Sequence, residues 1–304
     1  MVSIGAMSGP GQQTRPLRAL VLGGGGAHGF AQAVYIHAAI ELGFRPDLVI
    51  GTSVGALNGA WIAMHPDKPQ GLIEIWRDLG ELKLLRWSPA RLAALVARHR
   101  AISQNDVVER LIQEHIRELQ FADMAVPLAV IATNLTTAAK AVFRDGALAP
   151  AIRASTAVPG VYAPVEIDGH LYVDGCLTAT VDLATAIDGG ATEILAIALG
   201  RPREEAAPRT LLGVLRRSLE VMSHATTVAM MEAAPRSAKV QVVRPNLANE
   251  SAWRLRNTTA AERRFRQEAF LALEPLIDAH GRLMQPPLSI EGAGPDLTEH
   301  RRAA

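Results

Sequence analysis

Ser53 lies in Gly51-Thr-Ser-Val-Gly55, directly after the apolar run Leu48-Val-Ile50 and before the helix-forming stretch Ala56-Leu-Asn-Gly-Ala-Trp-Ile-Ala63. A strand, a tight turn and a helix with serine at the apex form a nucleophile elbow, the context that gives a G-x-S-x-G spacing chemical meaning. Gly51 and Gly55 flank the turn because a serine held in a strained conformation leaves no room for side chains on either side. The turn lifts the hydroxyl clear of the sheet and aims the N–H of Val54 at the same point. Such a group attacks a carbonyl carbon, so the chemistry expected is that of a serine hydrolase.

A second glycine cluster, Gly23 to Gly26 followed by Ala27-His28-Gly29, matches G-x-G-x-x-G at Gly24, Gly26 and Gly29. Three uses compete. A dinucleotide would need an acidic residue at the carboxyl end of the second strand to hold its ribose. Asp47 precedes Leu48-Val-Ile50 and stands at the opposite end, and this use leaves the Ser53 turn unexplained. An oxyanion hole needs unhindered backbone N–H groups aimed at a developing alkoxide; Gly25 and Gly26 would supply them together with Val54. The positive end of the following helix would add to the effect. A turn required only for helix packing is the third use.

A nucleophilic serine needs a base. The nine histidines offer no evident one: His28 is in the glycine loop, His170 in a hairpin, and His224 and His280 in helical surroundings. The carboxylates are more informative. Asp174-Gly175 closes the strand Leu171-Tyr-Val173 and can deliver a carboxylate to the active edge of a sheet. Asp188-Gly-Gly190 precedes the strand Ile194 to Leu199, the wrong end for an open α/β sheet, and reads as a helix stop.

The elements that must position these groups follow from periodicity and turn signals. Leu17 to Leu22 reads as a strand and Phe30 to Leu42 as a helix. The Leu48–Ile50 strand and its helix come next, and Val126 to Thr133 is a third strand. Asp168-Gly169 divides Val161 to Val173 into a hairpin. Ile194 to Leu199 and Val240 to Val243 are further strands. His65 to Gln120 is more helical and more polar, with Ser103 before Asp106 as a helix start. Leu211 to Met231, which carries Met222, Met230 and Met231, is apolar at helical spacing and suits core packing better than a lipid-facing lid. Strands alternating with helices imply an α/β sandwich with a mostly parallel sheet.

A chain of 304 residues with 49% hydrophobic composition can bury a full core. A net charge of +1 with 20% charged residues gives no footprint for nucleic acid. Cys176 is the single cysteine, so no intrachain disulfide forms, in keeping with a reducing cytoplasm. Met1 to Pro16 is rich in Gly, Ser and Gln, lacks the apolar core of a signal peptide, and reads as a flexible N-terminus. Ala19 to Phe44 could span a bilayer by length, but consecutive glycines break it. The expectation is a soluble cytoplasmic protein whose membrane contact, if any, is peripheral. Residues 281–304, rich in Pro, Gly and charge, read as a disordered tail.

Three blocks in this order and spacing resemble the patatin-like phospholipases: Gly24 to Gly29, Gly51 to Gly55, and Asp174-Gly175, with Ala154-Ser-Thr-Ala-Val-Pro-Gly-Val-Tyr-Ala-Pro164 as a similar lead-in. The likeness runs from about Leu17 to Leu199. It implies a three-layer α/β/α sandwich over residues 17–280, with a helical insertion at about 65–120. It also implies a Ser53–Asp174 dyad with no histidine, metal or cofactor. The substrates implied are phospholipids, lysophospholipids, acylglycerols or other acyl esters. An acyltransferase on the same dyad and an inactive nucleotide-binding or regulatory module are the alternatives. The chain departs from the family in three places. His28 stands where Arg or Lys is usual, Cys176 where Gly or Ala is usual, and the Asn and Pro that often follow are not evident in Leu177 to Leu183. Lys83 to Arg100 carries basic residues interleaved with Leu84, Leu85, Trp87, Leu92, Leu95 and Val96. It suits either an interfacial helix that touches a membrane or an ordinary amphipathic helix.

Overall fold

The computed structural model describes residues 15–79, 107–159, 161–199, 211–234, 238–247 and 259–284. The expectations for Lys83 to Arg100, for a helix start at Ser103, for residues 1–14 and for residues 285–304 of the tail lie outside them. Residues 281–284, expected within the disordered tail 281–304, are described, with Leu283 buried and bridged to Ile277.

Among the described residues eight strands form one sheet. They are β1 (Arg18–Leu22), β2 (Leu48–Thr52), β3 (Leu128–Asn134), β4 (Ala139–Phe143), β5 (Val165–Ile167), β6 (His170–Asp174), β7 (Glu193–Ile197) and β8 (Lys239–Val243). Their order is β5-β6-β3-β2-β1-β7-β8, with β4 on the second edge of β3. β3, β2, β1, β7 and β8 run parallel, while β4 and β6 pair antiparallel with β3 and β5 pairs antiparallel with β6. The helices are α1 (Gly29–Glu41), α2 (Val54–Met64), α3 (Pro69–Asp78), α4 (Val107–His115), α5 (Leu148–Thr156), α6 (Leu183–Asp188), α7 (Leu211–Glu232) and α8 (Thr259–Leu273).

The three layers follow from strand alternation. Leu20, Leu22, Leu128 and Val130 point to the face covered by α1, α2, α3, α4, α5 and α8. Ala19, Val21, Ala129 and Ile131 point to the other face, against Leu183 and Ala186 of α6 and Met231 of α7. Central strands buried on both faces read as unbroken apolar runs, which is why they were legible. Asp168 and Gly169 both have positive φ, 50° and 76°, the type I′ turn that their sequence implies. α6 ends at Asp188 with Gly189 as its cap. α7 buries Met231 but leaves Val214, Val221 and Met222 exposed. No helix among the described residues is long and apolar enough to cross a membrane.

Among the elements with no counterpart in the sequence reading are β4 and α5, besides α8. β4 is a partly exposed edge strand carrying Lys140, so it lacks the apolar run of its neighbours. α5 contains Pro150, a helix breaker in most positions, but here it sits in the first turn where its missing N–H is not needed.

Candidate active site

The register of β3 brings two distant segments together. Thr52, the last residue of β2, pairs with Ile131, and Asp174, the last residue of β6, pairs with Ala132. β4 occupies the opposite edge of β3 at both positions. β2 and β6 therefore meet end to end along one edge, arriving from opposite directions. At that meeting point Ser53 Oγ donates a hydrogen bond to Asp174 Oδ2 at 2.6 Å. Ser53 is 6% exposed and Asp174 2%. Among the described residues no histidine hydrogen-bonds to either.

Ser53 has φ 56° and ψ −125°, a conformation that costs an L-residue about 1–3 kcal/mol and persists only when its surroundings enforce it. Ser155 Oγ accepts the Ser53 N–H at 2.8 Å and donates to the Ile131 carbonyl at 2.6 Å. The Ser53 carbonyl accepts from Ala56 N–H at 2.8 Å as α2 begins. Gly55 lets α2 press onto the end of β1: a Cβ there would lie 2.2 Å from the Leu22 carbonyl oxygen. Gly51 lies within β2 and Gly175 opens the short turn Gly175–Leu177.

Asp174 is held as tightly. Its N–H donates to the Ala157 carbonyl at 2.9 Å, and its carbonyl accepts from Thr133 Oγ1 at 3.0 Å. Oδ1 accepts from Cys176 N–H at 2.8 Å, leaving Oδ2 to Ser53. Burial pushes the Asp174 carboxyl above the usual carboxylate range, and the hydrogen bonds from Ser53 and Cys176 pull it back only in part. Higher proton affinity is what a carboxylate needs in order to act as a base. Burial, and then the neighbouring Asp174 charge, push the Cys176 thiol well above its ordinary value, so it stays protonated at neutral pH.

The glycine loop follows β1. Gly23 N–H donates to the Ile197 carbonyl at 3.0 Å and Gly24 N–H to the Thr180 carbonyl at 3.3 Å. Among the described residues, the N–H groups of Gly25, Gly26 and Val54 have no acceptor. For Val54 the reason is its place at the start of α2. Gly24 packs directly on Ser53: a Cβ would lie 3.0 Å from Ser53 Cβ and 2.3 Å from Cys176 Sγ. His28 closes the short turn Gly26–His28, and its N–H donates to the Gly25 carbonyl at 3.3 Å. Asp47 sits at the other end of the sheet, where it accepts the Arg18 N–H at 3.0 Å and pairs with Arg15. A ribose bound at the glycine loop would be out of its reach.

A family model described as patatin-like phospholipase matches residues 20–187. The chain belongs to the patatin-like phospholipase family. The patatin match contains the glycine loop, Ser53, Ser155 and Asp174, while β7, α7, β8 and α8 lie beyond it. Mouse patatin-like phospholipase domain-containing protein 7 is 31% identical over 186 residues, covering 60% of this chain and 13% of that protein. An uncharacterized NTE family protein of Mycobacterium bovis is 30% identical over 194 residues, covering 64% of this chain and 51% of the other. This patatin-like chain thus matches about half or less of the length of those relatives. Among solved structures, VipD from Legionella pneumophila aligns with a TM-score of 0.46 at 14% identity, covering 86% of this chain and 67% of that one.

The sequence reading did not single out Ser155, Gln32 or Asn58. Ser155 was visible only as part of the segment Ala154 to Pro164. Gln32 and Asn58 are the lone side-chain amides of their helices, set among apolar neighbours, and their one signal is that nothing on their own helices explains them.

Proposed function

We propose that this patatin-like chain is a serine lipid acyl hydrolase that cleaves carboxylic esters of phospholipids, lysophospholipids or acylglycerols through Ser53 and Asp174. The 2.6 Å hydrogen bond from Ser53 Oγ to Asp174 Oδ2 supports this reading most directly. Asp174 takes the hydroxyl proton as Ser53 Oγ bonds to the ester carbonyl carbon. The carbonyl oxygen becomes an oxyanion facing the N–H groups of Gly25, Gly26 and Val54. Collapse breaks the ester C–O bond, and the departing alcohol takes the proton from Asp174. Water then gives a proton to Asp174 and attacks the acyl-serine, and the proton returns to Ser53 as the fatty acid leaves. No imidazole is needed, because a buried carboxylate with raised proton affinity serves as base and then as acid.

Purified protein would be assayed for fatty-acid release from phospholipids, lysophospholipids, acylglycerols and short p-nitrophenyl esters, beside Ser53→Ala and Asp174→Asn. Each variant is expected to lose nearly all turnover, and a fluorophosphonate probe is expected to label wild type at Ser53. Substantial turnover by Asp174→Asn would overturn the dyad.

A further inference from the structure

Three buried polar side chains run through the apolar layer behind the glycine loop, and the chemistry above leaves them unused. Gln32 on α1 is 0% exposed and Asn58 on α2 is 1% exposed; Trp76 on α3 is also buried. Gln32 Nε2 donates to the carbonyls of Gly23 at 3.0 Å and Ile197 at 3.1 Å. Asn58 Nδ2 donates to the Gly29 carbonyl at 3.0 Å and to Gln32 Oε1 at 2.9 Å. Trp76 Nε1 donates to Asn58 Oδ1 at 2.8 Å. Both N–H bonds of each amide have an acceptor and each amide oxygen has a donor, so no amide atom in the chain of contacts lacks a partner.

Such a network is not the cheapest way to fill a core. Apolar side chains of the same volume would pack there without desolvating two amides, so a complete polar chain among Leu, Ile and Ala contributes geometry rather than net stability. The geometry it sets is specific. Gly23 and Gly29 are the two ends of the loop that carries Gly25 and Gly26, and Asn58 lies on the helix that Ser53 begins. The linked amides therefore tie both ends of the glycine loop to the nucleophile helix.

We infer that Gln32, Asn58 and Trp76 are positioning residues that fix the Gly25 and Gly26 N–H groups relative to Ser53. Trp76 extends the tie to α3, and its ring packs so closely on Gly29 that a Cβ there would lie 2.3 Å from Cζ2. A misplacement of about 1 Å at such a site can cost on the order of 100-fold in rate, so a network acting only on spacing governs turnover without touching substrate.

This role rests on the reading of Ser53 as an ester-cleaving nucleophile, and two kinds of readout keep the ideas apart. Gln32→Met, Asn58→Leu and Trp76→Phe would be compared with wild type for p-nitrophenyl ester kinetics, fluorophosphonate labelling of Ser53, melting temperature and amide hydrogen exchange. Trp76→Phe keeps a ring over Gly29 and is the variant surest to fold. The expected result is kcat lower by about 10- to 100-fold for the amide variants with KM within about twofold, and labelling slowed in parallel. The double variant Gln32→Met/Asn58→Leu should be no slower than the worse single, because the residues act as one unit. Exchange at the hydrogen-bonded amides of Gly23, Gly24 and His28 should rise by about fivefold or more as the loop loosens. A lowered melting temperature with unchanged kcat would overturn the positioning role, as would unchanged exchange in folded variants. If wild type shows no Ser53-dependent turnover or labelling, the hydrolase reading falls, and exchange alone decides whether the network pins the loop.

Discussion

Ser155 Oγ stands 2.8 Å from the backbone nitrogen of Ser53 and is the acceptor for that N–H. The same hydroxyl donates to Ile131 on β3, so one side chain links the strained turn to the strand that sets its position. Ser155→Ala leaves a buried N–H and a buried carbonyl without this partner, at about 1–3 kcal/mol each. Its expected effects are a melting temperature lower by several degrees and kcat lower by about tenfold or more, with KM little changed. Thermal unfolding and steady-state ester kinetics check both. Wild-type kcat in the variant would show that the turn holds its shape without Ser155.

Asp174→Asn should separate stability from activity. Burial raises the folded-state proton affinity of Asp174, so its ionised form destabilises the fold. For an acid with a raised folded pKa, the penalty is absent below the unfolded value, grows as pH rises through the interval, and is complete above the folded value. The Asn variant should therefore unfold at a higher temperature than wild type at neutral pH. The gap should close as pH falls toward the ordinary carboxylate range. Scanning calorimetry from pH 7 down to about 4 measures it.

The same shift sets a pH–rate profile. kcat/KM reports the free enzyme, in which Asp174 must be ionised to accept the Ser53 proton. Turnover should fall on acidification with an apparent pKa above that of an ordinary aspartate. The thiol of Cys176, held protonated, should add no step near neutrality. A profile flat down to the ordinary aspartate value would exclude Asp174 as the base.

Gly24 and Cys176 should prove coupled. A Cβ on residue 24 would lie 2.3 Å from Cys176 Sγ, so Gly24→Ala should destabilise the chain and slow turnover. Cys176→Ala removes that sulfur and should recover part of the lost melting temperature in the double variant, a coupling of about 0.5–3 kcal/mol. The remaining deficit reflects the 3.0 Å approach to Ser53 Cβ. Simple additivity in a double-mutant cycle would mean that the loop moves away from the thiol.

Much of this geometry is legible in the amino-acid sequence. Ser53 and Asp174 each stand at the end of an apolar strand beside glycine, and local turn chemistry carries that information. The parallel strands were equally plain as continuous apolar runs. β4 was not, because an edge strand half in water mixes Lys140 with Val142 and has no clean period. α5 was hidden by Pro150, which only its place in the first turn makes compatible with a helix. Ser155, Gln32 and Asn58 were beyond reach for another reason. Their partners lie 102, 165 and 26 residues away, and no pattern within a helix encodes a hydrogen bond to a distant strand or loop.

The end-to-end meeting of β2 and β6 on β3 has a practical side. The turn at Asp168-Gly169 projects beyond the end of β3, while the carboxylate sits at the far tip of β6, anchored through Ala132. Extra residues inserted at that turn would lengthen a free arm and leave the carboxylate where it is. One residue gained or lost between the turn and Asp174 would rotate the carboxylate to the opposite face of the sheet. The hairpin tip is thus a natural port for a tag or a reporter dye, only a few residues along the chain from a position that allows no such freedom.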